Sequence, residues 1–346
     1  MKIAFLWTGF TSYMADCWRE LAAREGVELK IWIEEIKKSD TGFNPETLMR
    51  GLDYTWHFSE QIGEVEREAT AGQIAAFAPD VLFICGWARK LPPYIAARAE
   101  FANVPKVLCC DMPWEWKPRK FAARFILWRH LRRFRKIMMP GKRAAVYGRW
   151  LGFKDADIVR GEYGIDTERF ARVPAAKVRR GFVFVGRLTT AKDIRTLAEA
   201  YRQYRAAGGD WPLDVYGIGD EKKWLDGIEG LTVHGFVQPD ELPQIYARAG
   251  AFVIASVWDP WPLVILESCA AGLPVICTEN CWDRYELIRE NGIVVKARDP
   301  KSLAAAMARA SELVGEKGRI LAAEYSTGRW ADRIMALVRE LANSCI

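Results

Sequence analysis

The sequence predicts an α/β protein built from two doubly wound parallel sheets. Apolar runs of strand length alternate along the chain with segments whose apolar residues recur at helical spacing. A strand that ends in glycine and leads into a helix occurs at residues 1–9 and again at residues 182–186. Because parallel strands are joined by long crossovers, usually helices, this alternation predicts one doubly wound sheet in each half of the chain.

The length and composition fit two globular domains. The chain has 346 residues, of which 50% are hydrophobic and 27% are charged. Its apolar runs are much shorter than the roughly 20 residues of a membrane helix, and residues 1–7 have the pattern of a strand, not of a secretory signal. The eight cysteines lack metal-ligand spacing and histidines are few. We therefore expect reduced thiols in a cytoplasmic protein, without a zinc site.

Residues 251–276, AFVIASVWDPWPLVILESCAAGLPVI, have the clearest strand–loop–helix–strand pattern. Asp259 falls in the predicted loop, and Glu267 falls in the helix between apolar neighbours. Two solvated surface acids are one interpretation of this pattern. However, an acid in apolar surroundings usually has a partner or a ligand. Since ligands of doubly wound sheets bind beyond the carboxyl ends of the strands, we interpret both acids as candidate site residues.

Charged residues also follow two other predicted strands. Gly186-Arg187 follows the strand at 182–185, and Lys192 comes five residues later where a helix begins. Either cation could be an idle surface group, but two cations at this place suit an anionic ligand such as a phosphate. Asp111 follows the predicted strand at 107–110, where a ligand contact and a capping or turn role both fit.

The positive charge is concentrated in residues 117–149, which contain twelve Lys or Arg and no Asp or Glu. The rest of the chain has 38 basic and 44 acidic residues, a net charge of −6. The spacing predicts one basic amphipathic helix, with Leu127, Leu131, Phe134 and Met138 on one side and Arg129, Arg132, Arg133 and Lys136 on the other. Such a helix could pack on the sheet, lie on an anionic membrane surface, or contact nucleic-acid phosphates. The aromatic residues of this segment have the pattern of packing residues and not of a base-stacking surface. Contact with nucleic acid is therefore the least favoured of the three alternatives.

Five segments occur in a characteristic order: FVGRLTTAKD, VYGIGD, VHGFV, DPWPLVILESCAAGLPVI and YSTGRWADRIMALVREL. Their order and spacing resemble the retaining nucleotide-sugar glycosyltransferases of the GT-B fold, family 4 (glycosyl transferases group 1). The resemblance is strong over residues 161–341 and rests on strand–helix alternation before them. It implies two Rossmann-like domains facing a central cleft: an acceptor-binding domain at 1–165 and a nucleotide-sugar-binding domain at 166–328. The terminal helix at 329–346 would cross back to the first domain.

The resemblance implies a retaining, metal-independent hexosyltransferase. It would move a sugar from a UDP- or GDP-linked donor to an acceptor held by the first domain. A glycan or lipid-linked acceptor in cell-envelope or polysaccharide biosynthesis is a hypothesis that rests on the predicted basic helix. The enzyme would need no cofactor, and it would lie in the cytoplasm or peripherally on the inner face of the membrane. Three alternatives remain open: a non-catalytic nucleotide-sugar-binding subunit, a glycosyltransferase acting on nucleic acid, and a sugar-nucleotide epimerase or phosphorylase of similar fold.

The resemblance also assigns roles to individual residues. Arg187 and Lys192 match the cations that hold the donor's diphosphate, Asp259 matches an acid that contacts the transferred sugar, and Glu267 matches the acid that binds the ribose. The other matched donor-side positions are Gly9, Gly186, Gly219, Gly235, Phe236, Trp261, Leu263 and Val264. Asp111 is placed on the acceptor side.

Several residues depart from the family pattern. Asp259 stands where the family usually has Glu, Pro262 lacks an N–H to donate, and Cys110 stands where a His commonly precedes Asp111. Residues 279–283 lack the usual paired glycines, although Glu286 is kept. We therefore expect an altered donor pocket, and the sequence does not identify the sugar.

Overall fold

The computed structural model describes residues 1–36, 44–115, 117–174, 176 and 179–343. The chain forms two compact units: Met1–Gly164 joins the last helix in one unit, and Ile165–Ser326 forms the other. Seven cysteines lie in the described ranges and all are free, as expected, whereas Cys345 lies outside them.

The described residues form thirteen strands and fifteen α-helices. The strands are β1 (Lys2–Thr8), β2 (Glu28–Glu35), β3 (Tyr54–Phe58), β4 (Val81–Cys85), β5 (Lys106–Cys109), β6 (Lys136–Met139), β7 (Ile158–Arg160), β8 (Phe182–Val185), β9 (Leu213–Tyr216), β10 (Leu231–Gly235), β11 (Ala251–Ile254), β12 (Val275–Thr278) and β13 (Gly292–Val295). The helices are α1 (Ser12–Ala22), α2 (Pro45–Leu48), α3 (Glu64–Phe77), α4 (Leu91–Ala97), α5 (Pro118–Ile126), α6 (Trp128–Leu131), α7 (Lys142–Leu151), α8 (Thr167–Ala171), α9 (Ile194–Ala206), α10 (Leu242–Arg248), α11 (Leu263–Ala270), α12 (Arg284–Leu287), α13 (Pro300–Ala308), α14 (Glu316–Ala323) and α15 (Thr327–Asn343).

Each unit is built on one parallel sheet. The first sheet has the strand order β3-β2-β1-β4-β5-β6-β7, and the second has the order β10-β9-β8-β11-β12-β13. Every pairing within them is parallel. The strand order reverses between β1 and β4 in the first sheet and between β8 and β11 in the second, which is the doubly wound arrangement. The predicted α/β class with two Rossmann-like domains is confirmed.

The last helix completes the core of the first unit. Trp330 of α15 is 1% exposed, and its ring lies 6.0 Å from that of Phe5 in β1. Phe5 in turn stacks on Phe83 of β4 at 4.6 Å. The Trp330 indole N–H donates to the carbonyl oxygen of Glu162 at 2.8 Å. The helix therefore returns to the first unit, as the predicted fold class requires.

The predicted basic amphipathic helix across residues 126–138 is wrong. The segment contains the end of α5, the short helix α6 and the strand β6. Leu131, Phe134 and Met138 are buried, so their helical spacing reflects a shared core and not one continuous helix. Lys136 is also buried and pairs with Asp157 and Glu340. A short apolar run such as 137–139 fits a buried strand and a buried helix equally well, and only the sheet distinguishes them.

We expect Trp330→Ala to lower the free energy of unfolding by about 3–5 kcal/mol, because it leaves a cavity beside Phe5 and removes a hydrogen-bond donor. Urea unfolding followed by circular dichroism measures this change. Trp128→Ala is the matched control, since Trp128 is 47% exposed; we expect a change within roughly 0.5 kcal/mol. Equal losses in both variants would contradict a core role for α15.

Candidate functional site

The candidate site lies at the carboxyl edge of the second sheet. Because the strands are parallel, the segments that follow β8, β9, β10, β11 and β12 all emerge at this edge. They include Gly186-Arg187, residues 217–219, Phe236, residues 256–262 and residues 279–283. The switch in strand order between β8 and β11 lies in the middle of this set. The tertiary structure thus brings the predicted donor-side residues of the second unit to one sheet edge.

The segments after β8 and β9 are packed backbone against backbone. A Cβ atom on Gly217 would lie 1.9 Å from the carbonyl oxygen of Gly186, and one on Gly219 would lie 2.2 Å from that of Leu188. The two glycines have φ of +151° and +150°. The Leu188 N–H also donates to the Ile218 carbonyl at 2.8 Å. Only glycine fits these two positions, so VYGIGD holds the segment that bears Arg187 in place.

The side chains of Lys192 and Asp259 form an ion pair across the switch point. Lys192 Nζ donates to Asp259 Oδ2, and the two side chains are only 18% and 10% exposed. The turn that bears Lys192 is also held by the backbone, because the Val257 N–H donates to the Ala191 carbonyl at 2.9 Å. The loops that follow β8 and β11 are therefore tied both through side chains and through the main chain.

A third loop, the one after β12, joins this arrangement. The Asp259 N–H donates to the Asn280 carbonyl at 3.1 Å, and the Trp282 N–H donates to the Asp259 carbonyl at 3.2 Å. The backbone N–H and the backbone carbonyl of Asp259 are therefore both hydrogen-bonded, while its carboxylate faces Lys192. Asn280 and Trp282, in the loop after β12, thus fix the backbone position of Asp259.

Arg187 differs from Lys192 because it has no partner among the residues that the structure describes. Its side chain is exposed and follows Gly186 directly. Within the ranges that the structure describes, it makes no ion pair or side-chain hydrogen bond. A guanidinium in this state retains all five N–H donors for a ligand. The same sheet edge therefore carries Arg187, which has no ion-pair partner in the described ranges, and Lys192, which is paired with Asp259.

The helix α11 carries the other predicted donor-side residues. Glu267 is half-buried, and its Oε2 accepts from the Tyr246 hydroxyl at 3.2 Å. Leu263 and Val264 are half-buried in the first turn, where N–H groups lack partners inside the helix. Trp261 is 7% exposed and packs on Tyr325 with the ring centroids 5.3 Å apart. Trp261 therefore helps to anchor the loop that enters α11.

The remaining predicted residues lie at other strand ends. Gly235 closes β10 with φ of +81°, and its carbonyl accepts from the Gly217 N–H at 2.6 Å. Phe236 follows it and is 37% exposed. Gly9 and Asp111 belong to the first unit, where Gly9 follows β1 with φ of +80° and Asp111 is exposed after β5. The structure thus places Gly235 at the carboxyl end of β10 and the other three residues just beyond the carboxyl ends of strands.

The sequence analysis missed Asp283 in the second unit. This residue is 0% exposed, and neither carboxyl oxygen has a hydrogen-bond partner among the described residues. Burial, and then the neighbouring Cys281, Asp259 and Glu286, raise the pKa of Asp283 well above its usual range. Lys192 acts in the opposite direction. The only sequence signal was an acid within the stretch that replaces the paired glycines of the family.

Glu162 in the first unit was missed in the same way. It is 1% exposed, and both of its carboxyl oxygens lack hydrogen-bond partners among the described residues. Burial, followed by the charge of Asp111, raises the pKa of Glu162 well above its usual range. No sequence pattern singled out Glu162 as a site residue. The charge of Asp111 therefore disfavours the ionised form of Glu162 at the carboxyl edge of the first sheet.

Two kinds of structural feature are absent from the residues that the structure describes. No group of three or more His, Cys, Asp or Glu side chains is arranged to hold a metal ion. In the same ranges, none of the helices has the length and apolar character needed to cross a bilayer.

Residues 179–312 match the family described as Glycosyl transferases group 1. An uncharacterized glycosyltransferase of Methanocaldococcus jannaschii is 35% identical over 131 residues, which are 35% of this chain and 33% of that protein. The O-antigen chain mannosyltransferase B of Escherichia coli is 28% identical over 135 residues, 36% of this chain and 34% of the relative. The chain thus spans about a third of the length of these curated relatives. The matched part of the second unit is similar to group 1 glycosyltransferases.

A solved structure matches over almost the whole chain. The Anabaena protein HepE in complex with UDP aligns with a TM-score of 0.75 and 14% identity, covering 98% of this chain and all of that one. At this identity the likeness establishes the fold alone. It agrees with the two doubly wound units described above and with the predicted GT-B class.

Asp283 gives a pH-dependent prediction. Its pKa is higher in the folded protein than the roughly 3.9 of an unfolded chain, so the folded state binds more protons and stability falls as the pH rises above that value. We expect Asp283→Asn to lessen this fall in stability, because Asn cannot ionise. The melting temperature of the variant minus that of the wild type should therefore be larger at pH 7.5 than at pH 4.5. Differential scanning fluorimetry across pH measures the difference.

Asp299→Asn is the control for this measurement. Asp299 is half-buried and caps α13, and hydrogen bonds from Ser302 hold its pKa below the usual range. Its contribution has the opposite sign, being present above the unfolded pKa and lost as the pH falls. An Asp283→Asn profile parallel to that of the wild type would show that Asp283 ionises freely in the fold.

Proposed function

We propose that the protein is a group 1 glycosyltransferase that transfers a hexose, with retention, from a UDP- or GDP-linked sugar to a glycan or lipid-linked acceptor. The family match over residues 179–312 supports this proposal, because it covers Arg187, Lys192, Asp259 and Glu267. The two-unit fold is shared with HepE, whose solved structure contains UDP. In this proposal, residues 166–328 bind the donor, residues 1–165 bind the acceptor, and residues 329–346 are the terminal helix.

The observation that carries the proposal is the pair of cations at the switch point of the second sheet. Arg187 is exposed and has no partner in the described part of the chain, and Lys192 gives one N–H to Asp259 and retains two others. Cleavage of a sugar–phosphate bond develops negative charge on the leaving diphosphate. Fixed cations beside that group stabilise the transition state more than the ground state, and such differential binding accelerates the reaction.

The acids complete the proposed donor site. Asp259 would contact the transferred sugar, and hydrogen bonds with Asn280 and Trp282 hold its backbone in place. Glu267 would accept hydrogen bonds from the ribose hydroxyls, with Tyr246 orienting its carboxylate. The N–H groups of Leu263 and Val264 at the start of α11 would face the diphosphate. Gly9, Gly186, Gly219, Gly235, Phe236 and Trp261 would shape the loops around the donor.

We further propose that the reaction needs no metal ion, because Arg187, Lys192 and the start of α11 already supply positive charge where the diphosphate would bind. In the first unit, Asp111 would contact the acceptor. The similarity to an O-antigen chain mannosyltransferase supports an acceptor in polysaccharide biosynthesis.

Single substitutions in the donor site test the proposal. We expect Arg187→Ala and Glu267→Ala each to weaken donor binding by roughly ten- to 100-fold, because each removes hydrogen bonds that involve a charged group. Isothermal titration calorimetry against UDP, GDP and their common hexose conjugates measures the loss. Arg309→Ala is the control, since Arg309 is an exposed arginine of the same unit that pairs only with Glu312. Equal affinities in all variants would refute the assigned donor site.

Turnover experiments separate the alternative functions. With a radiolabelled donor, a glycosyltransferase gives acceptor-dependent product, whereas an epimerase converts the donor alone. Donor binding without turnover in every acceptor screen would favour a non-catalytic subunit. The anomeric configuration of the product, read by NMR, decides between retention and inversion, and activity in excess EDTA tests independence of metals.

A further inference from the structure

The first unit carries an exposed apolar patch at α5 and α6. Fourteen large apolar side chains are exposed in the described part of the chain, and four of them lie within residues 121–128. These are Phe121, Phe125, Ile126 and Trp128, which we call the apolar patch; their exposures are 44%, 60%, 76% and 47%. Such a concentration of exposed apolar surface is typical of an interaction site.

Two side chains of the apolar patch are in contact with each other and with a neighbouring ring. Phe121 and Phe125 are one helical turn apart in α5, and their ring centroids are 6.1 Å apart. Phe121 also contacts the half-buried Trp150 at 4.9 Å. The inner side of α5 is already satisfied: Ala123 is buried, and Lys120 donates to the Pro113 carbonyl and to Glu115. The outer side of α5, which carries Phe121 and Phe125, remains exposed to solvent.

Arginines surround this apolar surface. The guanidinium groups of Arg129 and Arg132 lie 5.6 and 5.5 Å from the Trp128 ring, and that of Arg124 lies 5.9 Å from the Trp150 ring. All three arginines are exposed. No Asp or Glu occurs between residues 117 and 149. The surface therefore combines apolar side chains with positive charge that acidic neighbours in sequence do not neutralise.

We propose that the apolar patch and its arginines bind the surface of an anionic lipid bilayer. Aromatic and aliphatic side chains would enter the boundary between headgroups and acyl chains, while the arginines meet lipid phosphates. A lipid surface fits better than the two other occupants. A second copy with the same face would set arginine against arginine, and nucleic acid would leave Phe125 and Ile126 without an apolar environment.

This inference revises the surface predicted from the sequence. The predicted apolar stripe Leu127, Leu131, Phe134 and Met138 is largely internal, since Leu131, Phe134 and Met138 are buried in the core. Three of the aromatic side chains that the sequence pattern indicated as packing residues are instead exposed, together with Ile126: Phe121, Phe125 and Trp128. The inference goes beyond the donor site and does not depend on it.

Co-sedimentation of the full chain with vesicles tests the proposal. We expect binding to vesicles of phosphatidylcholine mixed with phosphatidylglycerol, much weaker binding to phosphatidylcholine alone, and weaker binding at high salt. Ile126→Ser should lower the partition coefficient on the order of tenfold, because it removes an aliphatic side chain from the bilayer. Arg129→Glu with Arg132→Glu should abolish the preference for anionic vesicles.

Ile320→Ser is the matched control, because Ile320 is an isoleucine of α14 with 75% exposure, close to that of Ile126. It should bind vesicles as the wild type does. The proposal is overturned if the wild type does not bind anionic vesicles, or if Ile320→Ser and Ile126→Ser lose binding equally. It is also overturned if the patch substitutions instead dissociate a dimer or abolish DNA binding while lipid binding is unchanged. None of these readouts needs donor or acceptor, so failure of the proposed transferase activity would not be confused with failure here.

Discussion

The ion pair between Lys192 and Asp259 is the interaction on which the arrangement of the second unit's sheet edge depends. Two largely buried charges are costly to remove from water, and they remain buried because each neutralises the other. Removing either partner would leave a buried charge uncompensated, at a cost of roughly 3–5 kcal/mol. Since the loops after β8, β11 and β12 all meet at this pair, its loss would disturb three segments together.

Two buried acids show a different balance between stability and chemistry. Asp283 lies in the loop after β12, and Glu162 lies beyond β7, so each unit holds one such acid near the carboxyl edge of its sheet. Neither has a hydrogen-bond partner among the described residues, and burial raises the pKa of both. Buried polar groups without partners reduce stability, and they are found most often where function requires them. Their places in the fold agree with roles near the proposed donor and acceptor sites.

The basic segment shows why periodicity misled the sequence analysis. Leu131, Phe134 and Met138 recur at helical spacing, yet they belong to α6, to the connection after it and to β6. The sequence analysis also made no prediction for the strand β13, because Gly292–Val295 is short and, among the described residues, pairs with β12 alone. In both places, pairing with a distant strand determines the local structure, and a window of sequence contains no information about that pairing.

The sequence by itself determined the doubly wound class, the strand-end positions of Arg187, Lys192 and Asp259, and the concentration of positive charge in residues 117–149. These follow from local properties: apolar periodicity, the places of glycine and the order of charges. Only the tertiary structure decided that Lys192 pairs with Asp259, 67 positions away, and that Arg187 has no ion-pair partner among the described residues. It also decided that Asp283 and Glu162 are buried and that the apolar patch faces outward. Burial and pairing depend on which elements pack together, and that is a property of the whole fold and not of any segment.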